Sequence, residues 1–147
     1  MLKIYLTRHG QDRDNANGIL NGRRDEPLTD LGIEQANQVA AKIKEAGLVF
    51  DKIYSSPLKR AAQTAQIISM FLDARAPICL KDLIEREQGK MTGQRVCDVE
   101  KMCAPHILKT DLVTYFTSAE GAETFPEMRD RAERSIWKAS RARERRS

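Results

Sequence analysis

Long apolar runs and paired cysteines are both missing from this chain. Its longest apolar run is far too short to cross a bilayer, and Arg8 follows the short run Leu2–Leu6 at once, with no small-residue cleavage site, so a secretory signal is not expected. The three cysteines form no Cys-x-x-Cys pair, which argues against a disulfide framework and against a thiolate zinc site. We therefore expect a cytoplasmic protein with reduced, mostly buried thiols and no membrane partner.

Three further kinds of site lack their sequence signature. The two histidines, His9 and His106, and the scattered carboxylates show no metal-ligand spacing, and no Gly-x-x-x-x-Gly-Lys loop is present to hold a nucleotide. Residues 129–147 carry eight Lys or Arg against three Asp or Glu, yet Trp137 is their only aromatic residue. This composition favours a solvated helix end over a nucleic-acid interface. No metal or other cofactor is expected.

The length of 147 residues is typical of one domain with one core, and 41% apolar with 31% charged residues is a globular composition. Residues 1–139 are predicted to form that domain. Residues 140–147 have no apolar pattern to bury, so we expect a basic, disordered tail.

Strands alternate with helices along the predicted domain, which favours an α/β fold with a parallel sheet. The expected strands are Leu2–Leu6, Phe50–Ser55 and Pro77–Leu80. A loop over Gln11–Glu26 precedes a helix that Thr29 caps and Gly47 ends. Ser56 as N-cap and Pro57 in the first turn open a second helix. Lys81–Gly121 is expected to form loops and short helices. Thr124-Phe125-Pro126-Glu127 has the spacing of a capping box, which predicts the start of a further helix.

Four side chains suit the chemistry of a phosphoryl group. His9 follows the first predicted strand, where a neutral imidazole can attack phosphorus and form a phosphohistidine. Arg8 beside it and Arg60 in the first turn of a predicted helix offer guanidinium forks for the phosphate oxygens. Glu85, preferred to Glu87, is the candidate that protonates the departing alcohol and later deprotonates water. Further donors from the loop are expected at Asn15, Asn21 and Gly22.

These residues resemble the histidine phosphatase superfamily, also called the phosphoglycerate mutase-like family. The matching segments are Leu6-Thr7-Arg8-His9-Gly10, Asn15, Asn21-Gly22, Pro27 to Ala36, Tyr54 to Ala65, Glu85 to Gly89 and, more weakly, Gly121 to Thr124. The resemblance implies a three-layer α/β/α fold with a mostly parallel sheet. It also implies that His9 is phosphorylated, that Arg8 and Arg60 hold phosphate, that Glu85 donates a proton, and that Asn15, Asn21 and Gly22 contact substrate.

One family motif has no counterpart in the sequence. Family members carry a second histidine in a Ser-His-Gly or Thr-His-Gly strand, which lies between the strand of the first histidine and the strand before the Ser-Ser-Pro turn. The resemblance therefore implies an incomplete sheet. We expect a chain that lacks the C-terminal part of the fold, or one that receives this strand from a partner.

The predicted function is hydrolysis of a small phosphorylated substrate, without a metal, through phospho-His9. Phosphotransfer of the phosphoglycerate mutase type is the nearest alternative. A catalytically weak, truncated phosphate-binding protein is the alternative from another class, and a nucleic-acid binder ranks third. The sequence leaves a homo-oligomer open.

Overall fold

The computed structural model describes the backbone of residues 3–144 and the side chains of residues 3–141. Five α-helices and four short strands are present in this part of the chain. The helices are α1 (Arg13–Ala16), α2 (Asp30–Glu45), α3 (Lys59–Phe71), α4 (Val99–Cys103) and α5 (Phe125–Glu144). The strands are β1 (Tyr54–Ser55), β2 (Ile78–Cys79), β3 (Ile107–Lys109) and β4 (Thr114–Phe116).

Helices α2 and α3 pack against each other and form the first half of the molecule. Thr29 caps α2 as predicted, because its hydroxyl accepts a hydrogen bond from the N–H of Gly32 at 3.1 Å. The predicted cap of α3 is wrong: Leu58 occupies the N-cap position, and Ser56 accepts only from the N–H of Leu58. A carboxylate oxygen of Asp25, in the loop before α2, instead accepts from the N–H of Lys59 at 2.7 Å.

Two glycines let the chain behind His9 approach the first turn of α2. A Cβ on Gly10 would lie 2.2 Å from the carbonyl oxygen of Gly32, and one on Gly32 would lie 2.1 Å from that of Gln11. No side chain fits either position without moving the backbone. The contact places the His9 segment directly over α2.

The parallel sheet is smaller than predicted. Strands β1 and β2 pair in parallel with Tyr54 opposite Ile78, which confirms the α/β class and an incomplete sheet. The predicted strand Leu2–Leu6 is wrong over its described part, since residues 3–10 form no regular structure and Leu6 is 93% exposed. Leu2 lies outside the described residues. Within residues 3–144 no strand runs alongside this segment, and apolar residues without a neighbouring strand cannot form a ladder.

Residues 81–121 form a second small core beside the helices. They contain three 3₁₀ helices, α4, and an antiparallel hairpin of β3 and β4 that the sequence prediction missed. The core consists of Met91, Val99, Cys103 and Phe116. Cys79 and Cys97 are exposed, which corrects the expectation of mostly buried thiols. The expected loop before α2 also contains the one-turn helix α1, which Asp12 caps.

Helix α5 begins at the predicted capping box. The N–H of Thr124 donates to the carboxylate of Glu127 at 2.8 Å, and the N–H of Glu127 donates back to the Thr124 hydroxyl at 3.3 Å. The helix continues to Glu144, so Ser140–Glu144 is helical where a disordered tail is predicted. Residues 145–147 of that tail lie outside the described residues. No helix within residues 3–144 is long and apolar enough to span a membrane.

Candidate phosphoryl-transfer site

His9 is half-buried and held by its own backbone. Its Nδ1 lies 2.7 Å from the carbonyl oxygen of Gly10, and a carbonyl can only accept, so Nδ1 carries the proton of the neutral ring. The other nitrogen, Nε2, then keeps its lone pair. The N–H of Gly10 donates to the Thr64 hydroxyl at 3.0 Å, which ties the His9 segment to α3. Thr64 in turn donates to the carbonyl of Arg60, one turn earlier.

The Arg60 side chain is almost completely buried beneath the loop before α2. Its Nη1 and Nη2 donate to the carbonyls of Arg24 and Gly22, each at 2.8 Å. Its Nε lies 3.3 Å from a carboxylate oxygen of Asp12. These contacts fix the plane of the guanidinium, and they bring together Arg60 and Gly22, two of the residues that the sequence analysis names.

Asp12 joins more of the candidate residues than any other side chain described, and the sequence analysis missed it. One carboxylate oxygen accepts from the N–H of Asn15 at 2.7 Å, and the other accepts from Nδ2 of Asn21 at 2.6 Å. With the Arg60 ion pair, Asp12 gathers three predicted site residues around one buried carboxylate. The spacing Asp12-x-x-Asn15 is a local signal for a helix cap that could have identified it.

Glu85 is exposed, and a different arginine connects it to the loop. Its Oε1 accepts from the N–H of Arg86 at 2.7 Å, and its carbonyl accepts from Nε of Arg23 at 3.0 Å. Arg23 directly follows Gly22, so this contact and the Arg60 contact involve neighbouring residues of the loop. Arg23 is a second residue that sequence reasoning missed. Arg8 is exposed, and no contact within residues 3–141 ties its guanidinium to the cluster.

An ion pair between Arg131 and Glu123, here called the charged platform, holds the segment that leads to Glu85. Arg131 on α5 donates to the Glu123 carboxylate through Nε and Nη2, and its Nη1 donates to the carbonyls of Asp82 and Ile84. The hydrogen bond from Arg131 holds the pKa of Glu123 below its usual value and raises the pKa of Arg131 itself. Both charges are therefore stable in the folded protein.

Arg86 stands beside the platform between two aromatic rings. Its guanidinium carbon lies 4.5 Å from the ring centre of Phe116 and 4.4 Å from that of Phe125. Burial lowers the pKa of Arg86, while the charges of Glu123 and Glu85 oppose that shift. Three backbone carbonyls accept from its fork, so Arg86 orders the chain next to Glu85. No group of three or more His, Cys, Asp or Glu in the described part of the chain is placed to hold a metal ion.

The comparison with protein families shows to which superfamily the chain belongs. The family model of the histidine phosphatase superfamily, branch 1, matches residues 4–147. The chain belongs to that superfamily. Members of the superfamily are enzymes, and relatives of this chain are named as phosphatases and mutases.

Two curated relatives illustrate the range of names. A broad-specificity phosphatase of Saccharomyces cerevisiae is 32% identical over 108 residues, which cover 72% of this chain and 47% of the relative. A probable phosphoglycerate mutase of Proteus mirabilis is 46% identical over 69 residues, which cover 47% of this chain and 31% of the relative. The chain thus spans less than half the length of these relatives.

Solved structures show the same fold. Phosphoserine phosphatase of Entamoeba histolytica, in complex with 3-phosphoglyceric acid, is 38% identical with a TM-score of 0.54, over 63% of this chain and 44% of that one. A mycobacterial glucosyl-3-phosphoglycerate phosphatase is 21% identical with a TM-score of 0.69, over 88% of this chain and 63% of that one. This second likeness concerns the fold alone.

Proposed function

We propose that this chain hydrolyses small phosphomonoesters through a phosphohistidine on His9. The observation that carries the proposal is the hydrogen bond from Nδ1 of His9 to the carbonyl of Gly10, because it leaves Nε2 as the nucleophilic nitrogen. Membership of the histidine phosphatase superfamily supports it. We place the reaction in the cytoplasm.

The proposed reaction has two steps. In the first, the lone pair of Nε2 attacks phosphorus, the phosphorus–oxygen ester bond breaks, and the carboxyl group of Glu85 gives its proton to the departing alkoxide. In the second, the Glu85 carboxylate takes a proton from water, whose oxygen attacks phosphorus and frees His9. Arg8 and Arg60 stabilise the charge that spreads over the phosphoryl oxygens, and Asn15, Asn21 and the backbone of Gly22 orient them.

Hydrolysis is preferred to a mutase reaction because water can reach the proposed site. Glu85 is exposed and His9 is only half-buried, so a phosphohistidine here is open to attack by solvent. A mutase keeps its phosphohistidine from water until a second hydroxyl group arrives. The mutase remains the second candidate, since a relative from Sinorhizobium fredii, 36% identical over 92 residues, is named a 2,3-bisphosphoglycerate-dependent phosphoglycerate mutase.

An open recess beside the start of α5 is the proposed place for the rest of the substrate, because Arg23 in its lining donates to the carbonyl of Glu85. It has a volume of about 610 Å³ and is lined by charged side chains of both signs, among them Arg23, Glu87 and Arg134. Such a lining favours a small polar alcohol over an apolar one. The substrate class is therefore a small, polar phosphomonoester.

One observation favours a phosphate-binding protein of weak activity. Arg60 is almost fully buried and already holds Asp12 and two carbonyls, so only part of its fork remains for a ligand. Such a protein binds inorganic phosphate and turns over phosphate esters only slowly.

Turnover by matched histidine variants tests the proposal. Phosphate release from p-nitrophenyl phosphate and from 3-phosphoglycerate is measured for the wild type, His9→Ala, Glu85→Gln and His106→Ala. We expect His9→Ala to abolish turnover and Glu85→Gln to lower kcat by about 10²-fold or more. His106 is exposed on the hairpin side of the molecule, so His106→Ala should match the wild type. Equal turnover by the His9 and His106 variants would overturn the proposal.

A further inference from the structure

Asp12 lies next to the candidate phosphate ligands without being one of the groups that carry out the reaction. We propose that Asp12 is a positioning residue, whose carboxylate fixes the guanidinium of Arg60 and the loop of Asn15 and Asn21 in the geometry that binds phosphate. This inference rests on the proposed function. Asp12 itself is completely buried, with a relative exposure of 0%.

The two carboxylate oxygens of Asp12 hold different parts of the site. The oxygen that caps α1 is bonded to the N–H of Asn15 at 2.7 Å. The other oxygen faces two donors, Nδ2 of Asn21 at 2.6 Å and Nε of Arg60 at 3.3 Å. One side chain therefore sets the distance between the start of α1, the end of the loop and the first turn of α3.

The Arg60 side chain requires such a partner, because it is only 2% exposed. A buried guanidinium without a counter-charge is strongly unfavourable. The Asp12 carboxylate pairs with Nε of the planar guanidinium. The carbonyls of Gly22 and Arg24 each accept one N–H of a terminal nitrogen. The second N–H on each terminal nitrogen is the donor that we assign to the phosphate. The direction of these two N–H groups follows from the orientation of the guanidinium plane, which Asp12 fixes.

A purely electrostatic role for Asp12 predicts the opposite effect on binding. A carboxylate close to a phosphate site repels the anion, so its neutralisation alone should tighten phosphate binding. If Asp12 instead orients Arg60 and Asn21, its neutralisation should weaken binding. The sign of the change in affinity separates the two roles.

Asp12→Asn is the variant that separates the charge from the cap. The amide oxygen can still accept from the N–H of Asn15, whereas the amide nitrogen then faces Nε of Arg60. Asp14→Asn is the matched control, because Asp14 is also buried in α1 but pairs with Arg24 at 2.8 Å rather than with Arg60. The dissociation constant of inorganic phosphate is measured by calorimetry on the full chain, together with kcat and KM for p-nitrophenyl phosphate.

We expect Asp12→Asn to weaken phosphate binding about tenfold, and to lower kcat by up to about 10²-fold. Asp14→Asn should keep the affinity and kcat of the wild type. Tighter binding by Asp12→Asn, or a change no larger than that of Asp14→Asn, would overturn the inference. A wild type without affinity for phosphate would overturn it as well.

Two further results keep the outcomes distinct. If Asp12→Asn does not fold, Arg60→Lys replaces it as the test, because it keeps the charge but loses the guanidinium fork. We expect Arg60→Lys to weaken phosphate binding by a similar factor. An unchanged affinity would count against the positioning role of Asp12. If the wild type binds phosphate without turning over an ester, the proposed hydrolysis fails, while the positioning role is still decided by the phosphate affinities.

Discussion

Truncation of Arg131 to alanine should destabilise the protein far more than truncation of its exposed neighbour. Arg131 is 9% exposed. Its fork makes four hydrogen bonds of 2.5–2.7 Å, two to the Glu123 carboxylate and two to the carbonyls of Asp82 and Ile84. The variant leaves the Glu123 side chain, only 13% exposed, without its main counter-charge.

The expected loss is about 3 kcal/mol of unfolding free energy. Breaking a buried ion pair by removing one partner costs about 3–5 kcal/mol. The lower end applies because Arg23 also reaches the Glu123 carboxylate, at 3.6 Å. Since a domain of this size has a total stability of about 5–15 kcal/mol, the change is large enough to measure precisely.

Urea denaturation of Arg131→Ala and Arg129→Ala provides the comparison. Arg129 lies on the same helix with a side chain 66% exposed, and it pairs with its neighbour Asp130, so its removal should leave the urea midpoint close to that of the wild type. Because the chain leads from Ile84 directly to Glu85, Arg131→Ala should also lower kcat. Equal midpoints for the two variants would refute the proposed role of the platform.

Three further predictions concern stability. Thr124→Ala should cost about 1 kcal/mol in urea denaturation, because the capping box of α5 loses its hydroxyl; a change below about 0.3 kcal/mol would contradict this. Gly32→Ala should cost about 1–3 kcal/mol or more, since its Cβ would lie 2.1 Å from the Gln11 carbonyl, and an unchanged thermal midpoint would show that the contact is not tight. The pKa of Glu123 is lowered from its ordinary value of 4.5, so its carboxylate stabilises the fold fully at pH values above 4.5. This stabilisation is lost as the pH falls through the lowered pKa. Acid titration of stability should therefore show a component that Arg131→Ala removes.

Local patterns predicted local structure well. The capping box at Thr124 and the start of α2 at Thr29 each depend on residues within one turn, and both are confirmed. The location of Arg60 in the first turn of α3 is confirmed for the same reason.

Structure that depends on distant partners was not predictable in this way. The apolar residues of Leu2–Leu6 indicate a strand, but a strand also needs a neighbour, and none lies beside residues 3–8 within the described chain. The ion pair between Asp12 and Arg60 joins residues 48 positions apart. The hydrogen bond from Arg23 to the carbonyl of Glu85 joins residues 62 positions apart. Neither the apolar periodicity nor the spacing of motifs along the sequence predicts which residues so far apart come into contact.

The chemical identity of a trapped intermediate is the most direct test of the proposed site. The protein is incubated briefly with a phosphorylated substrate, quenched in base, and examined by phosphorus NMR and by mass spectrometry of its peptides. The hydrogen bond from Nδ1 to the carbonyl of Gly10 predicts an acid-labile phosphate on Nε2 of His9. Phosphate on Nδ1, on another residue, or on none while the substrate is consumed would contradict the account.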